Sequence, residues 1–247
     1  MTDVSPNLEI KIFPCLSDNY GILLHDKSTG ETTSVDSPDG EVIAAQCEKR
    51  GWTLTEIWNT HHHWDHTGGN VFLKEKYDLT ITGPDMIEGR IPGLDKGVGD
   101  GDEFEFAGHK VFVWHTPGHT KDHIVFYVPD ANAVFVGDTL FIMGCGRLFE
   151  GTPAQMRSSL QKLAALPPKT KVYCAHEYTL SNAAFALTVE PENDALLEAI
   201  KSATLKREKG EPTVPGTIER ELATNPFMRA DSDEALGNIR SAKDNFQ

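Results

Sequence analysis

The sequence predicts an α/β protein in which sheets pack between layers of helix, followed by a helical C-terminal third. Helical spacing of apolar residues occurs at residues 40–50 and 70–77. Short runs rich in β-branched and aromatic residues, broken by turn residues, predict strands at residues 8–13, 20–24, 32–35, 103–106, 110–114, 124–128 and 133–136.

The pattern changes after a last predicted strand at residues 171–174. Apolar positions and helix formers then predict helical segments at residues 181–209, 217–223 and 233–243, with a proline-containing breaker before the second. This change places a domain boundary near residue 172. We therefore expect one domain over residues 1–172 and a helical domain over residues 173–247.

Composition indicates a globular chain of one large domain or one domain with an appendage. The 247 residues are 39% hydrophobic, with a mean hydropathy of −0.36. No stretch approaches the roughly 20 apolar residues of a membrane helix, so we expect no membrane partner. The N-terminus lacks a basic segment followed by an apolar one, and the four cysteines form no Cys-x-x-Cys pair. Both features favour a cytoplasmic location with reduced thiols.

The formal net charge of −14 argues against a nucleic-acid partner. The average surface field would repel a polyanion rather than attract it. Nucleases with similar metal chemistry are disfavoured but not eliminated, because bound cations would neutralise part of the acidity. No heptad pattern or long apolar stripe requires association, so we expect a monomer.

Residues 60–70 contain a dense string of potential metal ligands, Thr-His-His-His-Trp-Asp-His-Thr-Gly-Gly-Asn. Its His-x-His-x-Asp-His pattern packs four candidates into six positions: His61, His63, Asp65 and His66. Neutral imidazoles suit zinc, and also iron or manganese, while a carboxylate supplies charge for a dication. The alternative is a solvated loop that happens to be rich in histidine, and the ligand density disfavours it.

The string lies between a predicted strand at residues 54–60 and the predicted helix at residues 70–77. Loops of this kind, at the C-terminal ends of strands, are common places for sites in α/β proteins. We expect Gly68 and Gly69 to supply unusual dihedrals that let several side chains point at one spot. Because successive side chains in extended backbone point opposite ways, His62 should face away from its neighbours.

Three further candidates lie at the ends of predicted strands. His119 follows a Thr-Pro-Gly turn, Asp138 closes an apolar run, and His176 follows Val-Tyr-Cys-Ala. An aspartate after an apolar strand and a glycine is also an ordinary turn residue, so these patterns leave Asp138 open between turn and ligand. Packing or surface hydrogen bonding suffices to explain the other histidines, which are His25, His109, His115 and His123.

Several motifs together carry a resemblance to a known superfamily. The segments that resemble the metallo-β-lactamase superfamily are residues 60–70, 115–120 (His-Thr-Pro-Gly-His-Thr), 135–140 (Phe-Val-Gly-Asp-Thr-Leu) and 174–178 (Cys-Ala-His-Glu-Tyr). Other segments resemble one family within it, glyoxalase II, also called the hydroxyacylglutathione hydrolases. These segments are residues 144–152, 176–179, 221–227 and 240–243. The similarity extends over nearly the whole chain. It implies a four-layered αβ/βα sandwich with an α-helical C-terminal domain that binds substrate.

The resemblance also implies a catalytic centre of two divalent metal ions, with zinc favoured and iron or manganese as alternatives. The implied ligands are His61, His63 and His119 for one ion, Asp65, His66 and His176 for the other, and a bridging Asp138.

The implied reaction is the second step of methylglyoxal detoxification. A hydroxide shared by the two ions would attack the thioester carbonyl of S-D-lactoylglutathione, which releases glutathione and D-lactate. The thiolate leaves readily because a free thiol has a pKa near ~8.5. Asp65 would also orient the nucleophile by accepting its hydrogen bond.

Four residues match family positions that hold the glutathione part of the substrate: Arg147, Tyr178, Arg240 and Lys243. Local basic groups can override an acidic average charge at short range. Without the resemblance, Arg240 and Lys243 would be interpreted as surface charge. The chain departs from the commoner pattern where Arg147 replaces a lysine and Phe149 a tyrosine. The first change keeps the charge and adds a planar fork, whereas the second removes a hydroxyl and one expected hydrogen bond to glutathione.

Other activities would use similar ligands. A β-lactamase, a ribonuclease or a persulfide dioxygenase of the superfamily is an alternative, although none is expected to need the helical tail with its two basic residues. The dioxygenase would bind one iron and consume oxygen. A noncatalytic metal-binding module would retain metal without thioester turnover, and the complete ligand set disfavours it.

Overall fold

Strands and helices alternate in the computed structural model, which describes residues 5–85 and 89–246. The described chain divides into two compact units. The first runs to His115 and resumes at Asp122–Gly137, and the second consists of Thr116–Lys121 and the described residues from Asp138 onward. The boundary near residue 172 is a division by sequence character and stays a prediction.

The first unit contains two sets of paired strands. Its strands and α-helices are β1 (Leu8–Cys15), β2 (Asn19–Asp26), β3 (Thr32–Val35), α1 (Gly40–Arg50), β4 (Glu56–Trp58), α2 (Trp64–Thr67), α3 (Asn70–Tyr77), β5 (Thr80–Pro84), β6 (Lys96–Val98), β7 (Glu103–Phe106), β8 (His109–His115), β9 (Ile124–Val128) and β10 (Ala133–Gly137). Strands β1 to β6 form one sheet in sequence order, antiparallel as far as β3 and parallel from β3 onward. Strands β7 to β10 pair successively and antiparallel.

The predicted bounds of α1, α3, β3, β7 and β9 agree with the structure. Local chemistry explains where α1 starts and stops. The side chain of Asp39 accepts hydrogen bonds from the backbone N–H groups of Glu41 and Val42, which would otherwise lack partners in the first turn. The helix ends before Gly51, whose φ of 68° lies in the left-handed region that favours glycine.

The two faces of the first sheet bury different side chains. Ile57 of β4 belongs to a hydrophobic cluster with Ile43 of α1 and Leu73 of α3, and all three are fully buried. Its neighbour Trp58 points to the opposite face, where its ring meets Phe104 of β7 at a centroid distance of 5.3 Å. The sheet therefore lies between helices and the second set of strands, as the α/β prediction requires.

The second unit is mainly helical. Its elements are β11 (Leu140–Phe141), β12 (Gly144–Cys145), α4 (Pro153–Ala164), β13 (Lys171–Cys174), α5 (Thr179–Val189), α6 (Asp194–Glu208), β14 (Gly216–Thr217), α7 (Ile218–Thr224) and α8 (Asp233–Asp244). Strands β11 and β12 form an antiparallel hairpin, and β13 pairs antiparallel with β14. Thr152 and Gln155 form a capping box that begins α4.

The helical C-terminal region is confirmed with one correction. Residues 181–209, predicted as one long helical stretch, contain a break between α5 and α6. Pro191 lies in this break. It explains the break, because proline within a helix removes a hydrogen bond and clashes with the preceding turn. Asn193 then begins α6 by accepting a hydrogen bond from the backbone N–H of Leu196. Among the described helices, none has the length and apolar character needed to cross a membrane.

Candidate metal centre

The four candidate ligands of the His-x-His-x-Asp-His string come together in the first unit. Nε2 of His61 lies 3.1 Å from Nδ1 of His63, and the rings of His61 and His66 have centroids 4.1 Å apart. Nε2 of His66 lies 3.4 Å from Oδ2 of Asp65. Helix α2 and the loop before it therefore collect three imidazoles and one carboxylate in one place.

Asp36, which the sequence analysis missed, orients two of these imidazoles. Its Oδ2 lies 2.8 Å from Nδ1 of His66, and its two oxygens accept hydrogen bonds from the backbone N–H and hydroxyl of Thr60. Because the Thr60 hydroxyl donates to Asp36, its oxygen accepts from Nδ1 of His61, 3.0 Å away. With Nδ1 protonated in both neutral rings, Nε2 of His61 and of His66 carries the lone pair that could bind a metal.

Asn19 of β2 is a second residue that the sequence analysis missed. Its Nδ2 donates to Oδ2 of Asp65 at 3.1 Å and to the Asp65 backbone carbonyl at 3.2 Å. His62 takes other hydrogen-bond partners, although its ring does not turn fully away from its neighbours, since it meets the ring of His63 edge-on at 4.9 Å. Nδ1 of His62 lies 3.3 Å from both carboxylate oxygens of Asp122, and its Nε2 contacts Arg90.

The predicted role of Gly68 and Gly69 is wrong. Their φ angles are −60° and −86°, which any residue adopts. Glycine is needed at position 69 because of a close backbone approach, since a Cβ there would lie 2.6 Å from the backbone nitrogen of Gly40 and 2.9 Å from the carbonyl oxygen of Ser37. The starts of α1 and α3 therefore pack backbone to backbone beside the ligand string.

Asp138 faces two histidines in the second unit. Its Oδ2 lies 3.4 Å from Nε2 of His119, its Oδ1 lies 3.4 Å from Nε2 of His176, and all three side chains are buried. Nδ1 of His119 donates to the carbonyl oxygen of Arg147 at 2.9 Å, so in the neutral ring Nε2 directs a lone pair towards the carboxylate. A cation between these atoms would stabilise an arrangement that is otherwise repulsive.

The basic candidates gather in the second unit. Arg240 of α8 is buried and donates from Nη1 to the carbonyl oxygen of Cys145 and from Nη2 to Asp244, both at 2.9 Å. Arg147 is 65% exposed, with its Nε 3.9 Å from Asp244. Burial, and then the guanidinium groups of Arg240 and Arg147, lower the pKa of Lys243. The three cations are therefore close enough to influence one another.

Two exposed aromatic rings lie beside the histidines that face Asp138. Tyr178 stacks on His176 with centroids 4.7 Å apart and an interplanar angle of 5°. Phe149 meets the ring of His119 at 5.2 Å and is 62% exposed. Tyr178, which matches a substrate-binding position of the family, and Phe149, which replaces a tyrosine of the commoner pattern, are thus both in contact with candidate ligands.

The donor sets of both clusters fit divalent metal ions. Each offers imidazole nitrogens and carboxylate oxygens, which zinc and other borderline dications bind. The four cysteines, all within the described residues, are buried and free, and burial raises the pKa of Cys174 to about 12. A neutral, inaccessible thiol is neither a metal ligand nor a nucleophile.

Comparison with known proteins identifies the family. The model of the metallo-β-lactamase superfamily matches residues 36–176, and that of the hydroxyacylglutathione hydrolase C-terminus matches residues 177–246. The hydroxyacylglutathione hydrolase of Brucella anthropi is 50% identical to this chain, with both chains covered completely. That of Maricaulis maris is 47% identical, covering 97% of this chain and 99% of its own.

A solved structure agrees with this assignment. ETHE1 from Myxococcus xanthus matches with a TM-score of 0.74 at 26% identity, covering 97% of this chain and 92% of its own. The predicted metallo-β-lactamase fold with a helical C-terminal domain is thereby confirmed, and this superfamily implies divalent metal ions. The chain belongs to the hydroxyacylglutathione hydrolase family of the metallo-β-lactamase superfamily.

Proposed function

We propose that this protein hydrolyses 2-hydroxyacyl thioesters of glutathione, S-D-lactoylglutathione among them, to glutathione and the free 2-hydroxy acid. The observation that carries the proposal is the 50% identity, over complete chains, with a hydroxyacylglutathione hydrolase. Two clusters of imidazoles and carboxylates support it, because they provide the ligands for a metal-dependent hydrolysis without a serine or cysteine nucleophile. D-lactate production would make it the second step of methylglyoxal detoxification.

The proposed centre binds two divalent ions, with zinc favoured and iron or manganese as alternatives. Its ligands would be His61, His63 and His119 on one ion, Asp65, His66 and His176 on the other, and Asp138 on both. When bound, the ions supply an activated water and polarise the thioester carbonyl. The spacing of donors within each unit, 3.1 to 3.4 Å between neighbouring ligand atoms, supports this assignment.

The protein's own side chains then orient the reactants. Asp65, held by Asn19, accepts a hydrogen bond from the attacking water and directs its lone pair at the carbonyl carbon. Asp36 keeps His66 in the tautomer whose Nε2 faces the centre. The sulfur leaves as a thiolate, so no side chain has to protonate it during bond cleavage.

The glutathione carboxylates would bind to the cations of the second unit. Arg147 offers the more accessible guanidinium, whereas Arg240 acts mainly through its charge, because it already donates to Cys145 and Asp244. Lys243 adds a third positive charge, and Tyr178 contacts the glutathione backbone in this proposal. Together these residues would attract an anionic substrate to a protein whose net charge is −14.

The decisive experiment follows the absorbance loss of S-D-lactoylglutathione with purified protein, before and after chelation, with metal content measured on the same sample. Turnover that disappears with the chelator and returns with added zinc supports the proposal. A protein that retains two metals and leaves the thioester intact contradicts it. A β-lactam assay and oxygen uptake with glutathione persulfide, run in parallel, test the two superfamily alternatives.

We further propose that the protein is a cytoplasmic monomer that binds neither nucleic acid nor membranes. The buried, free cysteines and the acidic net charge support this proposal. Light scattering after size-exclusion chromatography tests the monomer, and a dimer mass would contradict it.

A further inference from the structure

Three buried polar side chains hold the turn of the β11–β12 hairpin. Oε2 of Glu221 accepts a hydrogen bond at 2.8 Å, Nδ2 of Asn225 donates two at 3.1 and 2.9 Å, and Nδ2 of Asn182 donates one at 3.2 Å. Their partners are backbone groups of the hairpin: the N–H of Met143 and the carbonyls of Phe141, Gly144 and Ile142. Side chains of helix α5, of helix α7 and of the residue after α7 therefore hydrogen-bond to the main chain of this turn.

The conformation of the turn depends on these hydrogen bonds. Met143 has a φ of 56°, a left-handed conformation that methionine rarely adopts. Glu221 accepts a hydrogen bond from the N–H of Met143 itself, and Asn225 donates one to the carbonyl oxygen of the next residue, Gly144. Without them, the buried N–H and carbonyls would lose their partners, and the turn would relax to another conformation.

A carboxyl group is an unfavourable choice for a buried position that has only a packing role. Glu221 is fully buried, and burial raises the pKa of its carboxyl to about 7. Its Oε2 also accepts from Nδ2 of Asn225 at 3.0 Å, while Oε1 has no hydrogen-bond partner among the described residues. Burying a carboxyl group costs free energy. We therefore attribute a specific function to the oxygen of Glu221 that accepts these hydrogen bonds.

The hairpin is connected to all three candidate ligands of the second unit. It begins two residues after Asp138 in sequence, and it ends two residues before Arg147, whose carbonyl oxygen accepts the hydrogen bond from His119. The ring of Phe141 in β11 packs edge-on against the ring of His176, with centroids 5.8 Å apart. A displaced hairpin would therefore move the carboxylate and both imidazoles.

We propose that Glu221 and Asn225 are positioning residues for the metal centre, which act by fixing the β11–β12 hairpin from helix α7 and from the cap residue that follows it. This inference rests on the proposed function for its activity readout. Metal binding by the purified protein tests it separately, because metal affinity requires no substrate.

The test compares Glu221→Ala and Glu221→Gln with Ile218→Ala. Ile218 is a matched control, since it is fully buried in the same helix and has no polar group to bond the hairpin. In Glu221→Ala we expect kcat and zinc affinity to fall by about tenfold or more. Glu221→Gln keeps an acceptor for the Met143 N–H and should recover most of both losses. Ile218→Ala should lower Tm without a comparable loss of zinc affinity.

Two results would overturn the positioning role. One is wild-type kcat and zinc affinity in Glu221→Ala; the other is an equal loss in Ile218→Ala for an equal drop in Tm. Should Glu221→Ala not fold, Asn225→Ala provides the same comparison through the donors to Phe141 and Gly144. If the wild type hydrolyses no glutathione thioester but Glu221→Ala still loses zinc, the proposed function fails and the positioning role stands.

Discussion

The carboxylate of Asp36 lies 2.8 Å from Nδ1 of His66, and the same carboxylate binds the backbone and hydroxyl of Thr60. All three side chains are buried. The backbone N–H of Thr60, the hydroxyl of Thr60 and Nδ1 of His66 all donate to the two carboxylate oxygens of Asp36. Asp36 therefore acts only as an acceptor in these three hydrogen bonds. Asp36 therefore sets the proton position on His66 and, through Thr60, on His61.

We expect Asp36→Asn to lower metal affinity by about 10–100-fold, because an amide NH₂ would replace one of the two acceptors. Either His66 changes tautomer and places a proton on Nε2, or the Thr60 N–H loses its partner. Titration of the apoprotein with zinc measures the affinity. Asp122→Asn is the matched control, since Asp122 is a buried carboxylate beside His62, which is not a proposed ligand. Equal losses in both variants would show that only general destabilisation is measured.

Asp138→Ala should remove turnover and lower metal content together. The carboxylate faces His119 and His176 with one oxygen each, so its loss leaves two imidazoles without the shared anionic ligand. We expect kcat to fall by at least about 100-fold and less than two ions to remain bound after gel filtration. Elemental analysis and the thioester assay on one sample check this. Full activity in the variant would reject the bridging role.

Phe149→Tyr should restore the hydroxyl that is usual in the family. A hydrogen bond contributes about 0.5–1.5 kcal/mol, so we expect KM for S-D-lactoylglutathione to fall about two- to tenfold with kcat unchanged. The position is exposed, so the added hydroxyl costs little stability. Phe149→Leu, without a hydroxyl, should show no decrease in KM. An unchanged KM in Phe149→Tyr would mean that the hydroxyl does not reach the substrate.

His109 links two carboxylates in the first unit and should make stability depend on pH. Its Nδ1 lies 2.6 Å from Asp130 and its Nε2 lies 3.2 Å from Asp26. Burial acts to lower the pKa of His109, but the hydrogen bonds to Asp130 and Asp26 outweigh it and raise the pKa above 6.5. Because the folded pKa exceeds the unfolded one, this stabilisation is complete below pH 6.5 and is lost as pH rises through the folded pKa.

The corresponding measurement is urea unfolding of wild type and His109→Gln, with chelator present throughout. We expect the variant to be less stable at pH 5.5, and the difference to shrink as the pH is raised through the folded pKa of His109, where the wild-type ring loses its proton. A difference that grows with pH would contradict the assignment. Burial acts to raise the pKa of Asp26, but hydrogen bonds from Ser28, Thr29 and His109 lower it to about 2. Asp26 should therefore lose its own contribution to stability only as the pH falls from about 4 towards 2.

The sequence pattern was sufficient for elements with clear periodicity and insufficient for short ones. Helices α1 and α3 were predicted with correct bounds because apolar positions recur along their length. Strands β11 and β12 have two residues each, so no period can be read from them. Their conformation depends instead on Glu221 and Asn225, more than 70 residues later in the chain.

The candidate site shows the same division. The dense histidine string indicated candidate ligands directly. The strand-end positions of Asp138 and His176 made them candidates as well, but the pattern alone left Asp138 open between a turn residue and a ligand, and only the family resemblance implied the ligand role. Asp36 follows strand β3 in the same way and could have been found by the same argument. Asn19 could not, because it acts on Asp65 across 46 residues and a single asparagine in a buried strand carries no spacing signal.

Gly69→Ala should destabilise the protein, although its backbone is helical. At such a φ, replacing glycine by alanine ordinarily stabilises a protein by about 0.4–1 kcal/mol, because the unfolded chain loses freedom. Here the new Cβ would lie 2.6 Å from the backbone nitrogen of Gly40, and a backbone atom cannot move aside as a flexible side chain can. We therefore expect a net loss of about 1–3 kcal/mol in urea unfolding.

The same substitution should also weaken metal binding. Ser37 accepts a hydrogen bond from the N–H of Gly69 and donates one to the carbonyl of His66, so separating the two helices displaces a ligand. Gly210→Ala is the control: its φ is 71° and no atom lies within 4 Å of the added Cβ. That variant should lose about 1–2 kcal/mol through backbone strain while its zinc affinity stays unchanged. A Gly69→Ala protein with a higher Tm than wild type would show that the helices separate freely, and the close approach would then not be what requires glycine.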